Sequence, residues 1–384
     1  MAQKYLHVDI SSHQSAKYPD GPCGDVVAHR RTEIGTDIIL CDGIGSGTKA
    51  YIAATLHVSR LQTLLAEGFS LRRTFANIVS TVDQWRDPAK PYAAVTLVRI
   101  LNDGEATILT YDAPAPVLIG RGQAGVLPQR TFLIDKAVVQ QSSCFLAPGE
   151  GLVLFSDGIT QAGIGEGATE GWTSEGVAAY VSKLLATRSR LEAIPEAVCR
   201  EALRRDGDAS RDDLTVVVAG CRAGQTLNIL TGPPADKRLD ADVVARFMAG
   251  DGPKVVCGAT SAAIVARVLQ RKLAVEREPM SLIAPPKYML DGVDLVTEGA
   301  VTLNQLSNLL DLSGEPFEEI NPVTELAELI QGADRINLIL GRGTNPANDS
   351  LGFKQQGILK REVIVPLLVR KLRARGKLVL LSEI

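Results

Sequence analysis

The chain has 384 residues, of which 45% are hydrophobic and 22% charged, with a formal net charge of -3. That length exceeds one ordinary hydrophobic core and predicts two domains, and the near-neutral balance gives no electrostatic footprint for nucleic acid or an anionic membrane. The opening MAQKYLHVDISSHQ has no basic stretch followed by an apolar signal core, and no run of about 18 apolar residues follows it, so the chain reads as cytoplasmic with no membrane span.

In chain order, DVVAHR (25–30), DIILCD (37–42), AAVTLVRIL (93–101), EATILTYD (105–112), CFLAPGEGLVLFSD (144–157) and LTVVVAG (214–220) are short runs rich in Val, Ile, Leu and Thr, bounded by turn residues, and read as strands. Asp103-Gly104 between two of them predicts an antiparallel hairpin. Helical spacing predicts a helix over 48–67, with Ile52, Leu56, Leu61, Leu64 and Leu65 as its apolar positions, and a second over 70–85 capped by Ser70. Two more helices are expected over 175–185 and 195–205. Strands grouped together and helices grouped in pairs indicate an α+β layered domain over residues 1–222. After CRAGQTLN the pattern changes: NILTG, KVVCGATS, DLVTEG and RINLILGRG are each followed by a helix, and KLVLLSEI closes the chain. Strand and helix now alternate, which predicts a smaller α/β domain over 226–384 with a largely parallel sheet. Six scattered cysteines without a C-x-x-C pair suggest neither a zinc knuckle nor a disulfide framework. Cys23 and Cys41 fall close to the acidic motifs described next, which admits a thiol sensitivity.

ILCDGIGSGTKA (39–50) sets Asp42 at the mouth of a glycine-rich turn. Such a turn offers N–H groups to a phosphate, which a carboxylate would repel unless a divalent cation stood between them. It is neither a dinucleotide fingerprint, because G-x-G-x-x-G fails at Thr48, nor a P-loop, because no Gly-Lys-Ser or Gly-Lys-Thr follows. Asp25 begins one strand, Asp157 ends another and Asp212 and Asp213 precede a third, so acids recur at strand ends where hard oxygen ligands for Mg²⁺ or Mn²⁺ can converge. Two such ions sharing a carboxylate can activate a water and clamp a phosphate.

CDGIGSGTKA, FSDGIT and RDDLTVVV, in this order after a GD pair, resemble the metal-dependent serine/threonine protein phosphatases of type 2C, in their bacterial SpoIIE-like branch. The resemblance covers about residues 5–222. It implies a β-sandwich flanked by helical pairs, two Mn²⁺ or Mg²⁺ ions at one edge, and catalysis centred on Asp42 and Asp157. Asp42 would bridge the ions, the Gly43 carbonyl and Asp25 would lie at one of them, and Asp157 with Asp212 would complete the other. Asp213 belongs to the same acidic group, as a ligand or as a partner in its own turn. The implied substrate is a phosphoserine or phosphothreonine protein, such as an antagonist of an anti-sigma factor, and the helical pair after the DG motif would be the place of regulation. The alternative is a scaffold or ligand-sensing regulator that has lost catalysis. No histidine among His7, His13, His29 and His57 sits in a recognisable motif. In the second domain Gly258, Thr260 and Ser261 lie between a strand and a helix, and with residues 297–299 and 341–345 they would line a pocket for a small nucleotide or phosphate ligand if their strands are parallel neighbours. A partner-docking module with ordinary turns is the other reading.

Overall fold

The computed structural model describes residues 5–84, 92–166, 169–275, 285–311, 320–343 and 358–384. Two compact units divide the chain, Leu6–Ala223 and Gly224–Ile384. The first runs β1 (Leu6–Ser15), β2 (Asp25–Arg31), β3 (Gly35–Gly43), α1 (Thr48–Ala66), α2 (Leu71–Gln84), β4 (Ala93–Leu101), β5 (Glu105–Tyr111), β6 (Val117–Ile119), β7 (Ala124–Val126), β8 (Arg130–Ile134), β9 (Ala137–Phe145), β10 (Gly151–Phe155), α3 (Asp157–Thr160), α4 (Thr173–Ala186), α5 (Ile194–Arg205) and β11 (Leu214–Ala223). They form a six-stranded sheet, β2-β3-β4-β5-β9-β8, and a five-stranded sheet, β1-β11-β10-β6-β7, both antiparallel where the pairs are described.

Each sheet is covered on both faces, which explains why its strands read as nearly continuous apolar runs. In β3, Ile38 and Leu40 join Leu152, Leu154, Val217 and Ala219 of the other sheet in the inner core, while Ile39 and Cys41 meet α1 and α2. The outer face of the five-stranded sheet, through Val153, Phe155, Val216 and Val218, packs on α4 and α5. The result is four layers, helix, sheet, sheet, helix. The hairpin at Asp103-Gly104 forms as expected between β4 and β5, and Ser70 accepts a hydrogen bond from the Arg73 N–H at 3.4 Å as the cap of α2. Two local expectations change. CFLAPGEGLVLFSD is not one strand, because 146–150 turns the chain from β9 in one sheet to β10 in the other. On α1 the buried face is Ala50, Ala53, Ala54, His57, Val58, Leu61 and Leu65, whereas Ile52 and Leu56 are 52% and 60% exposed. The alanine face wins because it lets the helix backbone approach β3 closely. Trp85 lies outside the described residues.

The second unit contains β12 (Thr226–Thr231), α6 (Asp240–Ala249), β13 (Lys254–Cys257), α7 (Ala259–Leu269), β14 (Leu273–Val275), β15 (Lys287–Leu290), β16 (Leu295–Thr297), α8 (Ala300–Leu309), α9 (Pro322–Gly332), β17 (Arg335–Leu340), α10 (Arg361–Ala374) and β18 (Leu378–Glu383). Its sheet order is β14-β15-β16-β13-β12-β17-β18. The five strands from β16 to β18 are parallel, and β14 and β15 add an antiparallel edge that the alternation of motifs did not announce. Helices α8, α9 and α10 cover one face, and α6 and α7 the other. Among the described residues no helix is long and apolar enough to cross a membrane.

Candidate metal centre

The four acidic motifs of the first unit come from both sheets and meet at one edge of the sandwich. Asp25, the first residue of β2, is directly opposite Asp42, near the end of β3. From the other sheet, Asp157 follows β10 and opens α3, and its N–H points at the Asp42 Oδ2 at 3.4 Å. Asp212 and Asp213 lead into β11, which pairs with β10. Ser156 locks this junction, with its Oγ accepting from the Thr215 N–H at 3.0 Å. Two glycines allow the approach: a Cβ on Gly43 would overlap the Ala50 carbonyl oxygen of α1, and one on Gly158 would overlap the Asp213 carbonyl oxygen. Both DG motifs therefore carry glycine because backbone passes beside them.

The two members of the Asp-Asp pair are used differently. Asp213 is buried, and its carboxylate accepts from the Lys17 N–H and the Gly24 N–H, both at 2.9 Å. It ties the 16–24 loop to the start of β11. Asp212 is only half-buried and accepts one hydrogen bond, from the Asp213 N–H at 2.9 Å. Asp157 is oriented by Gln161, whose Nε2 donates to its Oδ2 at 2.8 Å. Gln161, Lys17 and Ser156 escaped the reading of the sequence because nothing in their spacing distinguishes them from ordinary turn residues.

Asp25 is the most exposing test of what the site fits, because it is 3% accessible and neither carboxylate oxygen has a hydrogen-bond partner. The Thr215 and Ser156 hydroxyls face it without closing bonds of ordinary length, and burial pushes its pKa from 3.8 up to about 6. Asp42 is raised well above the carboxylate range, first by burial and then by the charges of Asp25 and Asp157, and burial followed by Asp157 raises Asp212. A buried carboxylate with no donor costs several kcal/mol unless a proton or a cation compensates it. The donors are hard oxygens of the kind Mg²⁺ and Mn²⁺ select. Among the described residues no three acidic, histidine or cysteine side chains are arranged as a ready ligand set around one ion. The cluster fits a divalent cation by chemistry and by its uncompensated charge, and binding would require its side chains to turn inward.

The histidines do other work. His7 pairs with Asp9 at 3.2 Å, and His57 lies on the buried face of α1 with its pKa lowered by burial. Among the thiols near the acids, burial and then Asp25 push Cys23 up to about 12, and burial followed by Asp42 raises Cys41 as well, which disfavours a thiolate at either position at neutral pH.

Two antiparallel sheets sandwiched between helical pairs, with acids of both sheets gathered at one edge, define the type 2C phosphatase class of fold. Residues 33–222 match the family described as Stage II sporulation protein E (SpoIIE). This part of the chain is therefore similar to the SpoIIE-like branch of that class. Among solved structures, the phosphatase domain of the cell fate determinant SpoIIE from Bacillus subtilis is 19% identical, over 57% of this chain and 94% of that one, with a TM-score of 0.44. The RsbU and RsbW domains of a Mycobacterium tuberculosis protein are 15% identical over 64% of this chain and 69% of that one, at 0.49. The catalytic domain of the serine threonine protein phosphatase PstP, in complex with 2 manganese ions, is 14% identical over 56% and 99%, at 0.41. No curated protein matches the chain.

Proposed function

We propose that the protein is a metal-dependent phosphatase of phosphoserine or phosphothreonine on a regulatory protein. The observation that carries this reading is the meeting of Asp25, Asp42 and Asp157 from two different sheets, with the Asp25 carboxylate buried and unpartnered. Asp42, between Asp25 and Asp157, would bridge two Mn²⁺ or Mg²⁺ ions, with Asp25 and the Gly43 carbonyl at one and Asp157 and Asp212 at the other. When bound, such ions supply Lewis-acid charge that acidifies water and neutralises a phosphate. The chain's own groups do the positioning: Gln161 fixes Asp157, and Asp213 holds the 16–24 loop through the Lys17 and Gly24 amides. We assign Asp213 this holding role and Asp212 the ligand role, because the oxygens of Asp213 are already engaged. Lys17 is half-buried, and its charge offsets a small part of the rise that burial imposes on the Asp212 pKa. It would face an incoming phosphate from the same loop.

The test is hydrolysis of a phosphothreonine peptide and of an aryl phosphate with Mn²⁺, Mg²⁺ or chelator. Asp42→Asn should abolish turnover and weaken metal binding while the fold stands, since the core does not depend on this side chain. Full metal-dependent activity in Asp42→Asn would refute the assignment. An inactive wild type that binds a phosphoprotein tightly would make the first unit a scaffold instead.

A further inference from the structure

The second unit has its own uncompensated polar groups, and three of them gather at one end. Among the described residues of that unit four side chains hold a buried polar atom without a partner: Thr231 Oγ1, Asp240 Oδ1, Ser261 Oγ and Arg361 Nε. Three of them follow the carboxyl ends of parallel strands. Thr231 is the last residue of β12 and is fully buried; Ser261, 2% exposed, is in the first turn of α7 directly after β13; and Arg361, 8% exposed, opens α10. The guanidinium of Arg361 lies on Gly232, where any Cβ would overlap it, and its Nη2 donates to the Gly343 carbonyl at 2.7 Å. Gly232 and Gly343 follow β12 and β17. Between these two strands the chain order of the sheet reverses, since β13 and β16 lie on one side of β12 and β17 and β18 on the other. Open parallel sheets take ligands outside the carboxyl ends of the strands at such a reversal.

The chemistry of the end is that of an anion site. The N-cap of α7 is Gly258, which supplies no side-chain cap, so among the described residues no side chain caps the first amides of this 11-residue helix beside the buried Ser261 hydroxyl. Arg361 brings a fixed positive charge whose near carboxylate, Glu362 at 3.7 Å, is 59% exposed. The first turn of α8 is different, because the Glu298 carboxylate already accepts the Gly299 N–H at 2.7 Å. An anion is therefore directed to the α7 and Arg361 side. We propose that this end of the second unit binds a small phosphate-bearing molecule, held by the α7 amides, the Ser261 and Thr231 hydroxyls and Arg361.

The experiment is calorimetric titration of the full chain with sodium pyrophosphate and, separately, with ATP, at constant ionic strength and in excess chelator. The chelator removes the cation-dependent affinity for phosphate expected of the first unit, so the outcome is independent of the phosphatase reading. One saturable event per chain is expected at millimolar ligand or below. ATP tighter than pyrophosphate identifies a nucleotide, and equal affinities identify the phosphate group alone. Ser261→Ala should weaken binding about tenfold and Arg361→Met more, because each removes a hydrogen bond to a charged group. If Arg361→Met does not fold, the Ser261→Ala comparison decides. No saturable binding of either probe, or unchanged affinity in Ser261→Ala, overturns the proposal.

Discussion

Replacing Asp25 by asparagine should stabilise the protein whenever divalent cations are absent. The wild-type carboxylate is buried without a hydrogen-bond partner, and its pKa is pushed up to about 6 from 3.8. A folded-state pKa raised above the unfolded one makes the group favourable to folding below about 4, and that contribution is lost as pH rises through 6. The interval of about two pH units corresponds to about 3 kcal/mol. An amide at position 25 never ionises and so escapes this loss, but an incompletely paired buried amide gives back about 1 kcal/mol. In chelator at pH 7.5 the net gain should be about 2 kcal/mol, or about 4–8 °C for a unit of this size. Both tryptophans of the chain precede residue 223, so tryptophan fluorescence reports the first unit. Thermal unfolding followed that way, from pH 4.5 to 8, should show a fall in wild-type stability that is smaller in Asp25→Asn, where only Asp42 and Asp212 still carry a raised pKa. Mn²⁺ should restore the wild type and leave the variant nearly unmoved, since only a folded state that binds the ion gains from it. A variant less stable than wild type in chelator, or equal stabilisation of both by Mn²⁺, would refute the view of Asp25 as an uncompensated carboxylate awaiting a cation.

Asp212→Asn should lose nearly all metal-dependent turnover, whereas Asp213→Asn should keep a measurable part of it and lose about 1–2 kcal/mol of stability through weaker bonds from the Lys17 and Gly24 amides, read by activity and melting in parallel. Gly43→Ala should cost more than about 2 kcal/mol by forcing α1 off β3, visible as a lower unfolding midpoint even in chelator. Lys17→Ala should raise the KM for a phosphopeptide about tenfold and change kcat little, because its charge would act on the bound phosphate; an unchanged KM would remove it from the site.

The acids were visible in the sequence because strand ends punctuated by Gly and Asp stand out against continuous apolar runs. Their partnership was not visible, since Asp25 and Asp42 meet through strand register and Asp157 through contact between two sheets. The long helices and the strands buried on both faces were legible for the same reason, an apolar pattern strong enough to override local noise. Short or half-exposed strands such as β7 and β8 were missed, because three to five residues without a continuous apolar run carry no period. The outer face of α1 misled in the opposite way: Ile52 and Leu56 follow helical spacing, yet small Ala50, Ala53 and Ala54 set the packed side. In the second unit the repeated strand-then-helix pattern disclosed the parallel core. It did not disclose Arg361, which comes to the end of β12 only through the fold, and residues 344 and 345 of the expected loop lie outside the described residues.

The hydrogen bond from the Gly24 N–H to Asp213 joins groups 189 positions apart, and β11 completes its sheet by lying between β1 and β10. A ribosome must therefore deliver nearly the whole first unit before the acids can be gathered. Until β11 emerges, Asp25 and Asp42 sit on a hairpin that offers a cation only one side of a cage, and no shorter fragment of the chain contains the rest. Long-range closure of this kind is slow and comes late in folding. A nascent chain would thus stay indifferent to metal through most of its synthesis and acquire that affinity abruptly as β11 slots into place.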